Sequence, residues 1–312
     1  MKTMKLDSTI QLGEPVSHRG VIVAPLFPRL TPAAAYVTLD EALPLGFRVT
    51  EVDAAGLVPE LAVHNPLDCN VLLYDGEELI GAKQNRILNV TVLVAAGSKT
   101  TIPVSCVEEG RWSARSAAFG SASHAAHPEL RRRKGERLSA DPLARGIAQH
   151  EVWEVVRESA ERHGSYSPTR AQADTYRSRE ADLAALRGAF PLQPGQCGAL
   201  LAIGDALCLD YASRPDAFAR LYPKLLDGYL LDALARLERE PGQGLGEFVA
   251  AVEAAPRSHG PSAGLGEDVR LASEVVLGSG LELDGELIQL CAFTRERRGP
   301  RTRIRRPSGR RH

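Results

Sequence analysis

The chain has 312 residues, 44% hydrophobic and 25% charged, the balance of a water-soluble globular protein with length for one large domain or two ordinary ones. No apolar run approaches the roughly 18 residues of a membrane helix, and "MKTMKLDSTIQLGEP" lacks the apolar core of a secretory signal, so a cytoplasmic protein is expected. The formal net charge of −1 is uneven: residues 294–312 hold nine arginines and one glutamate, leaving 29 basic against 38 acidic residues in 1–293.

Residues 20–112 carry strand signals. "GVIVAPLF" is a short apolar run with β-branched residues, and "TLDEALPLGF" reads as a short helix capped by Thr38 or Asp40. "ELAVHNPLDCNVLLYDGEELIGAK" reads as strands with a hairpin about Asp75-Gly76, a dipeptide suited to positive φ. "ILNVTVLV" alternates, and "TIPVSCVEEGRW" adds another strand. Residues 113–138, rich in Ser, Ala and Gly and then basic, read as a long loop and a candidate lid.

Helices follow over 139–190. Asp141 and Pro142 open the first, Gly164 ends it, and Ser167 with Pro168 open the next. From 195 to 293 strands and helices are mixed. Two strands flank a turn at Gly204-Asp205, and a helix carries a stripe of Leu226, Leu230, Leu234 and Leu237, with a new start or a kink at Pro223. After a short helix at "GLGEFVAAVEAA", two or three strands are joined at Gly278–Gly280 and Asp284-Gly285. The expected fold is α+β: an antiparallel β-sandwich or barrel-like sheet system built from N- and C-terminal strands, with the helical middle packed on it. A single domain over 1–293 and a disordered tail over 294–312 complete the expectation.

Five scattered cysteines without a C-x-x-C pair argue against a disulfide framework or a zinc site. "HAAH" at 124–127 lacks a third ligand, and there is no glycine-rich phosphate loop, so no metal and no cofactor are expected. The informative stretch is "GAKQNRILN", Gly81 to Asn89. Taken as one regular strand from Gln84, it puts Gln84, Arg86, Leu88, Val90, Val92 and Val94 on the core face. Lys83, Asn85 and Asn89 fall on the other face and need no partner. A buried Arg86 must be paired, and the candidates are Glu77, Glu78, Glu108, Glu109 or an anion gripped by the planar guanidinium. Cys106, sharing a face with Ile102 and Val104, is expected to be an inert buried thiol. Glu108 and Glu109 beside Arg111 and Trp112 suit either acid–base chemistry with a stacked base or sugar, or an ion-paired strand end.

"GEELIGAKQNRILN" and "IPVSCVEEGRW", with "SPTRAQADTY", "GQCGALLAIGDALCLD" and "YPKLLDGYLLDAL", resemble the family named for association with ADP-ribosylglycohydrolases and rhodanese-type phosphatases. The resemblance spans roughly residues 8–293. It implies recognition of a nucleotide-like or ADP-ribose-like phosphate compound, in a stress-response or RNA-repair setting. Carried onto this chain, the characteristic positions are Lys83, Gln84, Asn85, Arg86, Asn89, Arg111 and Trp112 as ligand-binding residues, with Glu108 as the acid–base group. Gln149-His150 stands where the family pattern implies Asp-Gln. The alternative is a non-catalytic interaction module that docks on partner enzymes, or on RNA through the loop and the arginine tail.

Overall fold

A computed structural model describes residues 6–53, 59–140, 149–236 and 244–295. The Asp141-Pro142 helix start, Leu237 and the tail from residue 296 lie outside the described residues. The fold is α+β, and strands from the two ends of the chain share the main sheet. That sheet has nine strands, all paired antiparallel. Its order is Ile10–Leu12, Val21–Pro28, Gly198–Ile203, Ala206–Ala212, Glu286–Thr294, Val276–Leu283, Glu267–Ala272 and Arg257–Pro261, with Val16–His18 also on Val21–Pro28.

Both faces of this sheet are apolar and covered. One packs Val23, Leu201 and Ile288 against Phe218, Leu221 and Tyr229 of the helix Pro215–Leu234. The other packs Leu26, Leu200 and Leu290 against Phe248 and Val252 of the helix Leu245–Ala254. The long helix runs through Pro223 without a break. Gly278 and Gly280 are not a joint but lie inside the strand Val276–Leu283. A Cβ at either would meet a backbone oxygen of the neighbouring strand, at 2.8 Å from Cys291 and 2.7 Å from Gln289, so the close approach calls for glycine.

A six-stranded sheet runs Phe119–Ala125, Glu77–Gly81, Arg86–Leu88, Lys99–Cys106, Glu60–His64, Arg48–Glu51. A three-stranded sheet holds Val92–Val94, Asn70–Leu73 and Tyr36–Thr38, the last pair parallel. Leu61, Val63, Val71, Leu73, Ile102 and Val104 join in one core between them. The short helix Leu39–Ala42 starts at Thr38, whose backbone N and Oγ1 both donate to Glu41 at 2.9 and 2.8 Å.

Three expectations are corrected here. Asp75-Gly76 turns the chain with Gly76 at φ 82, but the flanking strands belong to different sheets and form no hairpin. Second, "ILNVTVLV" is two strands, Arg86–Leu88 and Val92–Val94, broken at 89–91 and divided between the two sheets. Third, residues 113–138 are not one loop. Residues 113–118 connect, Phe119–Ala125 pairs with Glu77–Gly81, and Pro128–Ala140 is a helix. The buried faces of these elements are mixed: His124, Arg131 and Lys134 are buried alongside Phe119, Leu130 and Leu138, which breaks the aliphatic periodicity.

Candidate ligand site at the Gly81–Arg86 turn

The strands Glu77–Gly81 and Arg86–Leu88 pair antiparallel, with Leu79 opposite Arg86. Lys83, Gln84 and Asn85 are therefore the reversal between two strands, not the start of one regular strand. Gly81 at φ 120 and Ala82 at φ 35 make the turn, and a Cβ at 81 would lie 2.5 Å from Ser116 Oγ. Arg111 clamps it from behind. Its Nη1 donates to the Ala82 carbonyl at 2.6 Å and the Ser113 carbonyl at 2.8 Å, and its Nη2 donates to the Gly81 carbonyl at 3.1 Å. Asn85 is buried, contrary to its expected free face, and its Nδ2 donates to Glu78 at 3.1 Å.

Glu108 anchors the same turn. It accepts from Arg111 Nη2 at 2.6 Å, Thr169 Oγ1 at 2.8 Å and the Asn85 backbone at 3.1 Å. Burial on its own raises the carboxyl, but the bonds from Arg111, Thr169 and Asn85 outweigh it and hold Glu108 below its ordinary 4.5. Both oxygens are occupied and the group is ionised, which suits an anchor better than a proton donor.

Arg86 is fully buried. Its Nη1 donates to Gln84 Oε1 at 2.8 Å and contacts Cys106 Sγ. None of the four glutamates named from sequence pairs with it. Glu77 holds Lys224 at 3.0 Å, Glu78 holds His124 at 2.9 Å, Glu108 holds Arg111, and Glu109 holds Arg170 at 2.7 Å. The carboxylate in range is Glu51, 3.9 Å from Nη2. Arg86 Nε and Nη2, and Glu51 Oε2, have no hydrogen-bond partner among the described residues. Nε and Nη2 form one edge of the guanidinium, the fork that grips carboxylate or phosphate through two bonds. Burial, partly offset by Arg86, pushes the Cys106 thiol up to about 11, so it is protonated at neutral pH.

Trp112 is the outer wall. It is 49% exposed, with Lys83 Nζ 5.3 Å and Arg86 Cζ 5.7 Å from the ring centroid. Lys83, Gln84, Arg86 and Trp112 thus converge on one corner, with Asn85, Glu108 and Arg111 behind it as supports. Asn89 lies apart, past the far end of Arg86–Leu88, where Ser105 Oγ donates to its Oδ1 at 2.9 Å. Gln149 supports the neighbouring strand, accepting from the Cys106 backbone N and donating to its carbonyl, both at 2.8 Å.

The polar groups that sequence reading missed form a second buried network. Arg131 grips Asp210 with two bonds, at 2.8 and 2.6 Å, and donates to Asp75 at 3.1 Å. Lys134 holds the other Asp75 oxygen at 2.9 Å, while Tyr74 and Tyr229 donate to Asp210 at 2.9 and 2.6 Å. Burial, opposed by Asp75, lowers the Lys134 pKa. Lys224 spans Glu77 and Asp40, at 3.0 and 2.6 Å. "DGEE" is therefore a hub whose three acids reach three different elements. Arg131 and Lys134 at i,i+3 in a basic run were the available signal, because that spacing puts both on one helix face.

A family model described as the ARG and Rhodanese-Phosphatase-superfamily-associated Protein domain, ARPP-1, matches residues 9–293. The chain belongs to the ARPP-1 family. No curated protein and no solved structure matches it. The ARPP-1 match takes in the turn, its supports, the buried network and both ends of the nine-stranded sheet, and stops before the arginine tail. Among the described residues no helix is long and apolar enough to cross a membrane.

Proposed function

We propose that this ARPP-1 protein binds a phosphate-bearing, nucleotide-like compound at the corner formed by Lys83, Gln84, Arg86 and Trp112, with ADP-ribose as the type. The reading rests on one observation: the Nε–Nη2 edge of a fully buried arginine lacks a hydrogen-bond acceptor among the described residues. Leaving such donors unmet costs about 1–3 kcal/mol, and a phosphate would satisfy both at once. The half-exposed indole beside Arg86 supplies a stacking face for a base or ribose. The family's printed name, with ARG read as ADP-ribosylglycohydrolase, gives the same ligand class by association; a stress-response or RNA-repair setting is part of this proposal.

The role assigned is recognition. Glu108, both oxygens engaged, keeps the turn in shape. The test is Trp112 fluorescence titrated with ADP-ribose, ADP and ribose 5-phosphate, with Trp112→Phe as the blank for the second tryptophan, Trp153. Saturable quenching by the phosphates and none by ribose supports the reading; no response to any phosphate compound sinks it. Docking on partner enzymes is the second reading, favoured by the word "associated" in the family name.

A further inference from the structure

A cavity of about 210 Å³ lies where the edge strand Arg257–Pro261 of the nine-stranded sheet faces residues 89–91 and Pro103. Its apolar lining is Val90, Pro103, Leu138, Pro261 and Ala263. An engineered cavity of roughly 150 Å³ accommodates benzene, so this one has room for one ring or two small fused ones. Its frame is preformed. Leu265 N donates to the Leu93 carbonyl at 2.8 Å and Thr100 Oγ1 to the Ala263 carbonyl at 3.0 Å, which stitches the segment to the three-stranded and the six-stranded sheet. Gly264 packs so tightly there that a Cβ would sit 2.2 Å from the Leu93 oxygen.

The polar lining is specific. Asn89 is fully buried and lines the cavity; its Oδ1 is taken by Ser105, and its Nδ2 has no acceptor among the described residues. Arg270 Nε and Nη2 both donate to Asp268 Oδ2, at 2.9 and 2.6 Å, so those two lining charges cancel. His259 Nε2 lies 3.4 Å from Glu282. A charged ligand would find no unopposed counter-charge in this set, whereas a neutral one loses little on entering.

We propose that this cavity binds a neutral, planar lactam of one or two rings, the size of a pyrimidine or purine base. Its carbonyl oxygen accepts from Asn89 Nδ2, a ring N–H is offered to Asp268, and its faces lie between Val90, Pro103, Leu138 and Ala263. Arg86 takes no part, so this site stands or falls separately from the phosphate corner.

The test uses uracil and hypoxanthine as probes on the full chain, by calorimetry and by amide-shift mapping. Saturable binding with shifts at residues 89–91 and 258–263 is expected. It should weaken at least tenfold for 1,3-dimethyluracil, which lacks ring N–H groups, and at least tenfold in Ala263→Phe, which fills the cavity. Arg86→Gln should leave it unchanged. Failure of both bases to bind, or shifts centred elsewhere in the wild-type chain, overturns the proposal whether or not Ala263→Phe folds. Binding that survives in a folded Ala263→Phe overturns it as well.

Discussion

Arg86 Nη2 and Glu51 Oε2 stand 3.9 Å apart inside the protein, close enough to balance charge and too far to share a hydrogen bond. The pair is neutral overall yet leaves donors and acceptor unmet. Replacing Glu51 by Gln should cost about 3 kcal/mol, because it removes the charge partner of a buried guanidinium. A bound phosphate compound should then stabilise Glu51→Gln more than it stabilises the wild type. Urea unfolding with and without saturating ADP-ribose measures both, and equal stabilisation of the two proteins would count against the anion reading.

Gly76 carries the buried network. It sits at φ 82, and a Cβ there would lie 2.7 Å from Arg131 Cδ. Gly164 also has positive φ, at 59, but open space around its Cβ position. Gly164→Ala should therefore cost about 1 kcal/mol from backbone strain alone. Gly76→Ala should cost about 2–3 kcal/mol or more, since it strains the backbone and displaces Arg131. Equal losses in urea titrations would show that Arg131 yields without cost.

Asp210 neutralises Arg131 and accepts from Tyr74 and Tyr229. Asp210→Asn should lose about 3–5 kcal/mol by stranding the arginine. The double substitution Asp210→Leu with Arg131→Met should lose much less than the sum of the two singles. Additive losses in a double-mutant cycle would mean the ion pair is not the unit of stability.

His163 gives the pH dependence a definite sign. Burial first, then Arg179, pushes it from 6.5 down to about 4. Between those values the unfolded chain takes up a proton that the folded chain refuses. For this group stability rises as pH rises from 4 to 6.5 and is level above that. His163→Gln should flatten the rise in urea midpoint between pH 4.5 and 6.5. An unchanged slope would place the titration elsewhere.

The strands of the nine-stranded sheet were legible because aliphatic runs such as "GVIVAPLF" and "GALLAI" show their burial directly. So were the residues of the corner, as a polar island in apolar text. The helix Pro128–Ala140 was not, because Arg131 and Lys134 are buried with Leu130 and Leu138 and interrupt the apolar pattern. Nor was the partner of Arg86. Glu51 is 35 positions away in sequence, and the register that brings it near depends on pairings from Arg48–Glu51 across Glu60–His64 and Lys99–Cys106 to Arg86–Leu88. Asn85 and Asn89 were misplaced for a related reason: period-2 reasoning needs an unbroken strand, and Gly81-Ala82 and 89–91 interrupt it.

The most direct measurement is calorimetric titration of ADP-ribose into the wild-type chain, Arg86→Gln and Trp112→Ala. The wild type should bind saturably. Arg86→Gln should weaken binding at least thirtyfold, the scale of two lost charge-assisted bonds at about 2 kcal/mol or more. Trp112→Ala, at an exposed position that keeps the fold, should weaken it about tenfold. The account is contradicted if the wild type shows no heat with ADP-ribose or any nucleoside phosphate, or if a folded Arg86→Gln binds as tightly as the wild type.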